Sequence, residues 1–183
     1  WRLTRNPPDD TMTPTLETTF LHLARTRLVH HQAEQVKACL RELNDEQIWW
    51  RPNERANSIG TLVLHLCGSS RFYLTHTVGG IEYVRDRPAE FAEQIKIPRD
   101  ELLRRLHEAA TEVDHVLEAF DPARLMDTTD RSGTSSTYAQ IIMHQVIHFA
   151  AHTGQIIYAT KLLKVGAIDE LWRNTMKDQE RSP

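Results

Sequence analysis

Four long stretches in which apolar residues return every three or four positions, separated by short runs rich in Pro, Gly, Asn and Asp, point this chain to an all-α fold. The first covers about residues 15–43, with Pro14 suited to a first helical turn and Leu16, Phe20, Leu23, Leu28, Val36, Cys39 and Leu40 as its inward set. Asn44-Asp45 interrupts it, and Trp49-Trp50-Arg51-Pro52-Asn53 reads as an ordered loop. A second helix begins where Asn57 or Ser58 can cap it and runs to about Thr77, ended by Gly79-Gly80. A third spans about 99–120, opened by Pro98 and stopped before Asp121-Pro122. After a polar loop, the fourth and most apolar runs over 138–163, and a short closing segment over 168–177 adds a turn or two of helix. No strand of convincing alternation is present. Helices of about 20 to 30 residues predict an antiparallel four-helix bundle with long connecting loops.

At 183 residues the chain fits one core, read here as a single domain over 13–183 with a short C-terminal extension. Residues 1–12, ahead of or at Met12, carry no apolar run of the kind a signal peptide needs and are read as a disordered or added segment outside the fold. Twenty-two Lys and Arg against 25 Asp and Glu, with no basic cluster, argue against nucleic acid. No apolar stretch approaches the ~20 residues that span a bilayer. Two cysteines, Cys39 and Cys67, both inside helical patterns, fit a reducing cytoplasm.

Ten residues are His, and their positions carry chemistry. His144, His148 and His152 lie at i, i+4 and i+8 on one helix face. Consecutive members rise ~6 Å, so two imidazoles can converge on one ion, whereas His144 and His152, ~12 Å apart along the axis, cannot share it. The pair is therefore His144/His148 or His148/His152. Steps of three and four from His148 and His152 reach Gln155, Ala159 and Leu162 forward and Gln145 and Ile141 backward, a plausible bundle seam that only weakly favours the second pair. The third donor expected from a facing helix is His65, set among Leu62, Val63, Leu64 and Leu66, where an imidazole needs a partner. The bland reading of His65 is a hydrogen-bonded core residue, and His22, His30, His31, His76, His107 and His115 read as surface or structural. Three neutral imidazoles suit zinc or nickel, or iron or copper, rather than calcium or magnesium, and leave positions open for water or substrate.

The runs Ser58-Ile-Gly-Thr-Leu-Val-Leu-His65-Leu-Cys-Gly and His148-Phe-Ala-Ala-His152-Thr-Gly154-Gln155-Ile156 resemble the DinB/YfiT-like superfamily of metal-binding four-helix bundles over about residues 13–165. The second run, HxxxHxGQ, is the more specific. The resemblance implies a divalent ion, often zinc or nickel, on His65, His148 and His152, with His144 beside the site. It further implies a thiol S-transferase or isomerase using a low-molecular-weight thiol, and a homodimer. Nothing in the chain specifies one thiol. Alternatives are a metal-dependent hydrolase, a non-catalytic stress-related bundle with a structural ion, and a metal-free polar His seam at a dimer interface. His144, Gln145, Gln155 and Tyr138 are candidates to orient an imidazole or a bound water. Arg51, in the Trp-rich loop, and Arg71 are candidates to meet an anionic small-molecule substrate, set against the plainer readings of loop capping and solvent exposure. Cys67, about 200° around the helix from His65, should face away from the ion.

Overall fold

The computed structural model describes residues 14–92 and 96–169, so the expected turn beyond 169 and the segment 1–12 lie outside the described residues. The first helical rod joins α1 (Leu16–Arg25), a π-helical stretch (Thr26–Ala33) and α2 (Glu34–Glu42), with right-handed helical dihedrals kept through both junctions. Thr15 caps it by accepting the Thr18 N–H. The π stretch begins within a five-residue step in the apolar spacing, Leu23 to Leu28. Leu16 and Leu23, expected inside, are 81% and 52% exposed, and Leu21 and Ala24 join the expected Leu28 on the inward face.

Asn44 then opens α3 (Asp45–Ile48) through a capping box with Gln47, and the Trp49 ring folds over the start of α4 (Ile59–Ser70). Gly60 permits that packing, because a Cβ there would sit 2.8 Å from the indole ring. Of the two residues able to cap α4 it is Ser58 that does so, accepting the Thr61 N–H. A second π stretch (Arg71–Val78) completes the second rod; its widened turn shows in the Gly79 N–H, which reaches back five residues to the Leu74 carbonyl. The third rod is α6 (Arg99–Ala119), reached through α5 (Arg87–Glu90), and the fourth is α7 (Tyr138–Leu163), opened by a Thr137/Gln140 capping box. The polar loop before α7 holds one antiparallel ladder, β1 (Thr128–Thr129) with β2 (Ser136–Thr137), too short to appear as alternation.

The four rods pack as a bundle in which rods one and two each lie against rods three and four. Arg25 in rod one pairs with Asp114 near the end of α6, while Arg99 at its start donates to the Leu43 carbonyl, so those rods run opposed. Lys164, just past α7, pairs with Glu42, so rods one and four run parallel. Arg71 pairs with Glu112, and the Trp49 indole covering Gly60 donates to the Ile97 carbonyl ahead of α6, so rods two and three run parallel as well. Two rods thus oppose two. The chain leaving rod two at Val78 must therefore return along the bundle to start α6, and α5 rides over α4 on that return.

Candidate metal centre

On α7 the buried stripe is Tyr138, Ile141, Ile142, Gln145, Phe149, Thr153, Ile156 and Thr160. His148 and His152 flank it, half-buried and one turn apart, facing α4. The seam expected to continue through Gln155 and Leu162 turns outward: both are exposed, Leu162 at 61%. A straight helix drifts about 20° per heptad against a 3.5-residue repeat, and this row walks off the core accordingly.

His65, buried on α4, meets the pair. Its ring centroid lies 4.9 Å from that of His148 and 5.1 Å from that of His152, and the latter two are 4.6 Å apart. The His65 and His148 Nε2 atoms are 3.0 Å apart, and one ligand atom from each of the three residues falls within 4.8 Å of the others. Nitrogens bonded to one tetrahedral zinc at about 2.0–2.1 Å sit roughly 3.3 Å from each other, a spacing this cluster reaches with small side-chain movements. His144 is exposed and outside that cluster; its ring lies 5.9 Å from His148 and edge-on to Tyr73 at 5.5 Å.

The other ring nitrogens show which lone pairs face the centre. His65 Nδ1 lies 2.9 Å from Glu90 Oε2, and His152 Nδ1 lies 2.9 Å from Gln155 Oε1. In both cases an Nδ1–H that donates to the oxygen leaves Nε2 to face the centre. His148 Nδ1 is buried and has no hydrogen-bond partner among the described residues. Burial, then the neighbouring His152 and His65, push the His148 imidazole down to about 4, so it is neutral at ordinary pH, the form that offers a lone pair to a cation. The donor set fits a divalent transition metal.

Behind His65 stands a pair that the sequence pattern did not single out. Glu90, at the end of α5, accepts from Arg85 Nε at 2.6 Å and Nη2 at 2.7 Å. Burial pushes the Glu90 carboxyl up, but the hydrogen bonds from Arg85 and His65 outweigh it and hold it below the usual range, so it stays ionised. Phe91 packs on the His65 ring at 5.0 Å. The one sequence signal for this was Gly68, a glycine in the middle of an apolar helix one turn past His65. A Cβ there would fall onto Glu90 Oε1 and lie 2.7 Å from its Cδ.

The remaining sequence candidates sit as follows. Gln145 is fully buried and accepts from Ser69 Oγ, tying α7 to α4 beside the cluster. Tyr138, ten residues and ~15 Å before His148, accepts from Arg124 and packs on Phe120, which closes the bundle end rather than the site. Arg51 donates to the Glu54 carbonyl within its own loop. Arg71 reaches a carboxylate, but it is Glu112 of α6, in a two-bond ion pair between rods. Cys67 is buried, its thiol pushed up to about 12 by desolvation, and it lies against the core rather than in the cluster.

Fold and site together define a four-helix bundle with a three-histidine cluster between its second and fourth rods, half open to solvent on the α7 side. Residues 15–173 match the model of a family described as a protein of unknown function (DUF1572), and the chain belongs to that family. Comparison with curated proteins returns no match. Among the described residues no helix is long and apolar enough to cross a membrane.

Proposed function

We propose that this chain is a metal-dependent enzyme of the DinB/YfiT-like kind, in which His65, His148 and His152 hold one divalent ion, zinc or nickel, and an open side admits a low-molecular-weight thiol or water. The reading rests on one observation: three imidazoles, two pinned through Nδ1, turn their remaining nitrogens to a common point. When bound, such an ion supplies Lewis acidity that activates a thiol or a water near neutral pH. Half-burial of His148 and His152 leaves a path from solvent, which favours chemistry over a closed structural site. A groove of about 340 Å³ beside His144, lined by Tyr73, Ser132, Thr134, Ser136 and Gln140, offers hydroxyl, amide and imidazole groups to a polar small-molecule substrate. Thiol S-transfer leads and hydrolysis is the alternative.

A second copy is the partner this reading expects. Along α7, Met143, Ile147, Tyr158 and Leu162 are exposed at 43%, 62%, 67% and 61% in one stripe, with Gly154 open at its middle. Burying that stripe in a twofold contact would leave the cluster on the adjacent face.

Metal analysis of protein purified without a nickel column should find about one divalent ion per chain. A panel of low-molecular-weight thiols with electrophilic acceptors should then show turnover that a chelator and His148→Ala both abolish. Protein that carries no ion and takes up none would end the metal reading; bound ion with no turnover across thiols and hydrolysable esters would leave a structural ion joining α4 to α7.

A further inference from the structure

We propose that Arg85 and Glu90 form a buried clamp that fixes His65 as an Nε2 donor and thereby sets how tightly the cluster holds a divalent ion; this deepens the metal reading above and rests on it. Side-chain exposure is 9% for His65, 8% for Glu90 and 12% for Arg85, so all three polar groups have been taken out of water together. Arg85 presents two parallel N–H groups to the two Glu90 oxygens, which fixes the plane of the carboxylate. Oε2, the oxygen that takes Arg85 Nη2–H, also faces His65 Nδ1. Arg85 Nη2 also lies 3.3 Å from His65 Nδ1, but the closer approach, at 2.9 Å, is that of a carboxylate oxygen that only accepts, which places the His65 proton on Nδ1 and the lone pair on Nε2, 3.0 Å from His148 Nε2. Carboxylates that accept from a ligating imidazole fix its tautomer and orientation and raise its basicity.

Three features make this a built arrangement. The return of the chain along rod two carries α5 over α4, with Asp86 capping α5 by accepting the Ala89 N–H. Gly68 clears the space that the Glu90 carboxyl fills. Phe91 on the His65 ring, with Arg87 over the Phe91 face at 5.4 Å, closes the far side. Glu90 and Arg85 are positioning residues: they act through His65.

Glu90→Gln tests this with no change of volume. Arg85 would claim the single amide oxygen, the amide NH₂ would then face His65, and the imidazole would have to carry its proton on Nε2. Nitrogen-15 spectra of metal-free protein at about pH 8.5, where imidazoles are neutral, read that directly. The wild type should show His65 as Nδ1–H and Glu90→Gln as Nε2–H, with zinc affinity, measured by competition against a chromophoric chelator, weaker by about 10- to 100-fold. Arg85→Met combined with Glu90→Gln frees the amide oxygen for His65 and should restore both the Nδ1–H form and most of the affinity, which a merely structural tie would not do. An Nδ1–H signal that survives Glu90→Gln, or zinc affinity within twofold of wild type, overturns the clamp. Should Glu90→Gln not fold, Gly68→Ala displaces the carboxyl with every charge retained, and persistence of Nδ1–H there overturns it equally. Wild-type protein that binds no zinc removes the metal reading and with it the effect on affinity, while the tautomer still decides what Arg85 and Glu90 do to His65.

Discussion

Zinc should stabilise this fold through the cluster, by an amount set by ligand linkage and chain size. His65 is on α4 and the other two imidazoles are on α7, so an ion held by all three ties rods two and four together and binds the folded state far better than the unfolded one. At free zinc 100 times the dissociation constant the gain is about 2.7 kcal/mol. With a melting entropy of about 2.1 cal/mol/K per residue over 183 residues, or about 0.4 kcal/mol/K, Tm should rise by about 7 °C. His148→Ala removes the imidazole nearest His65, and losing a ligand should cost at least the ~100-fold that losing a ligand's hydrogen-bond partner can cost. At the same free zinc the rise then falls to about 1 °C. His144→Ala, one turn away and outside the cluster, should keep the full rise. Scanning calorimetry on chelator-stripped protein, with zinc buffered at a fixed free concentration, measures all three. An undiminished rise in His148→Ala, or an equal loss in His144→Ala, would refute the assignment of ligands.

Three further outcomes follow from other parts of the molecule. Asp114 accepts from Arg25 Nε at 2.5 Å and Nη2 at 3.0 Å, and that hydrogen bonding, against burial, holds its carboxyl below the ordinary value. Its contribution is therefore present above the unfolded pKa of about 3.9 and lost as pH falls through the lower folded value. Asp114→Asn should cost about 1 to 2 kcal/mol in urea at pH 7, with the gap to wild type closing in stronger acid; a gap that widens there contradicts the sign. Burial raises both thiols, Cys67 to about 12, so neither should react with an aromatic disulfide reagent at pH 8 until denaturant exposes two per chain, and fast native labelling would show that α4 opens. Ile147→Glu and Tyr158→Glu should each convert a sedimenting dimer to monomer with the helical content unchanged; a monomeric wild type would remove the second copy from α7.

The bundle was legible because helices announce themselves through their own residues. Apolar spacing gave four rods, and Pro98 and Ser58 stand at helix starts where they were expected. His148 and His152 could be paired by arithmetic along one helix, and His65 by its setting in an apolar one, since an imidazole there must find company. What periodicity could not show was where a helix stops being regular or which face a long row ends on. The π stretches widen rods one and two without changing their composition, and Leu16 and Leu23 face solvent although they keep step with the core. Arg85 and Glu90 were illegible for a stronger reason. They belong to a return segment with no period, and their partner lies 25 residues from Glu90 in the chain.

That return segment also explains why charge is buried where it is. A desolvated Arg–Glu pair is poor value as a stabiliser, since packed apolar side chains of similar volume commonly do as well or better. If holding the returning chain onto α4 were the only need, leucine and methionine at 85 and 90 would meet it, and position 68 could carry a side chain. Instead the helix gives up a side chain at Gly68, which costs about 1 kcal/mol against alanine, to admit a carboxylate. The carboxylate in turn needs Arg85 to remain ionised beside Phe91 and the helix. What apolar residues at these positions could not do is accept a hydrogen bond from His65 Nδ1. The stability forgone at 68, 85 and 90 is thus accounted for by the orientation of one imidazole, and that imidazole is the one through which rod two reaches the two on rod four.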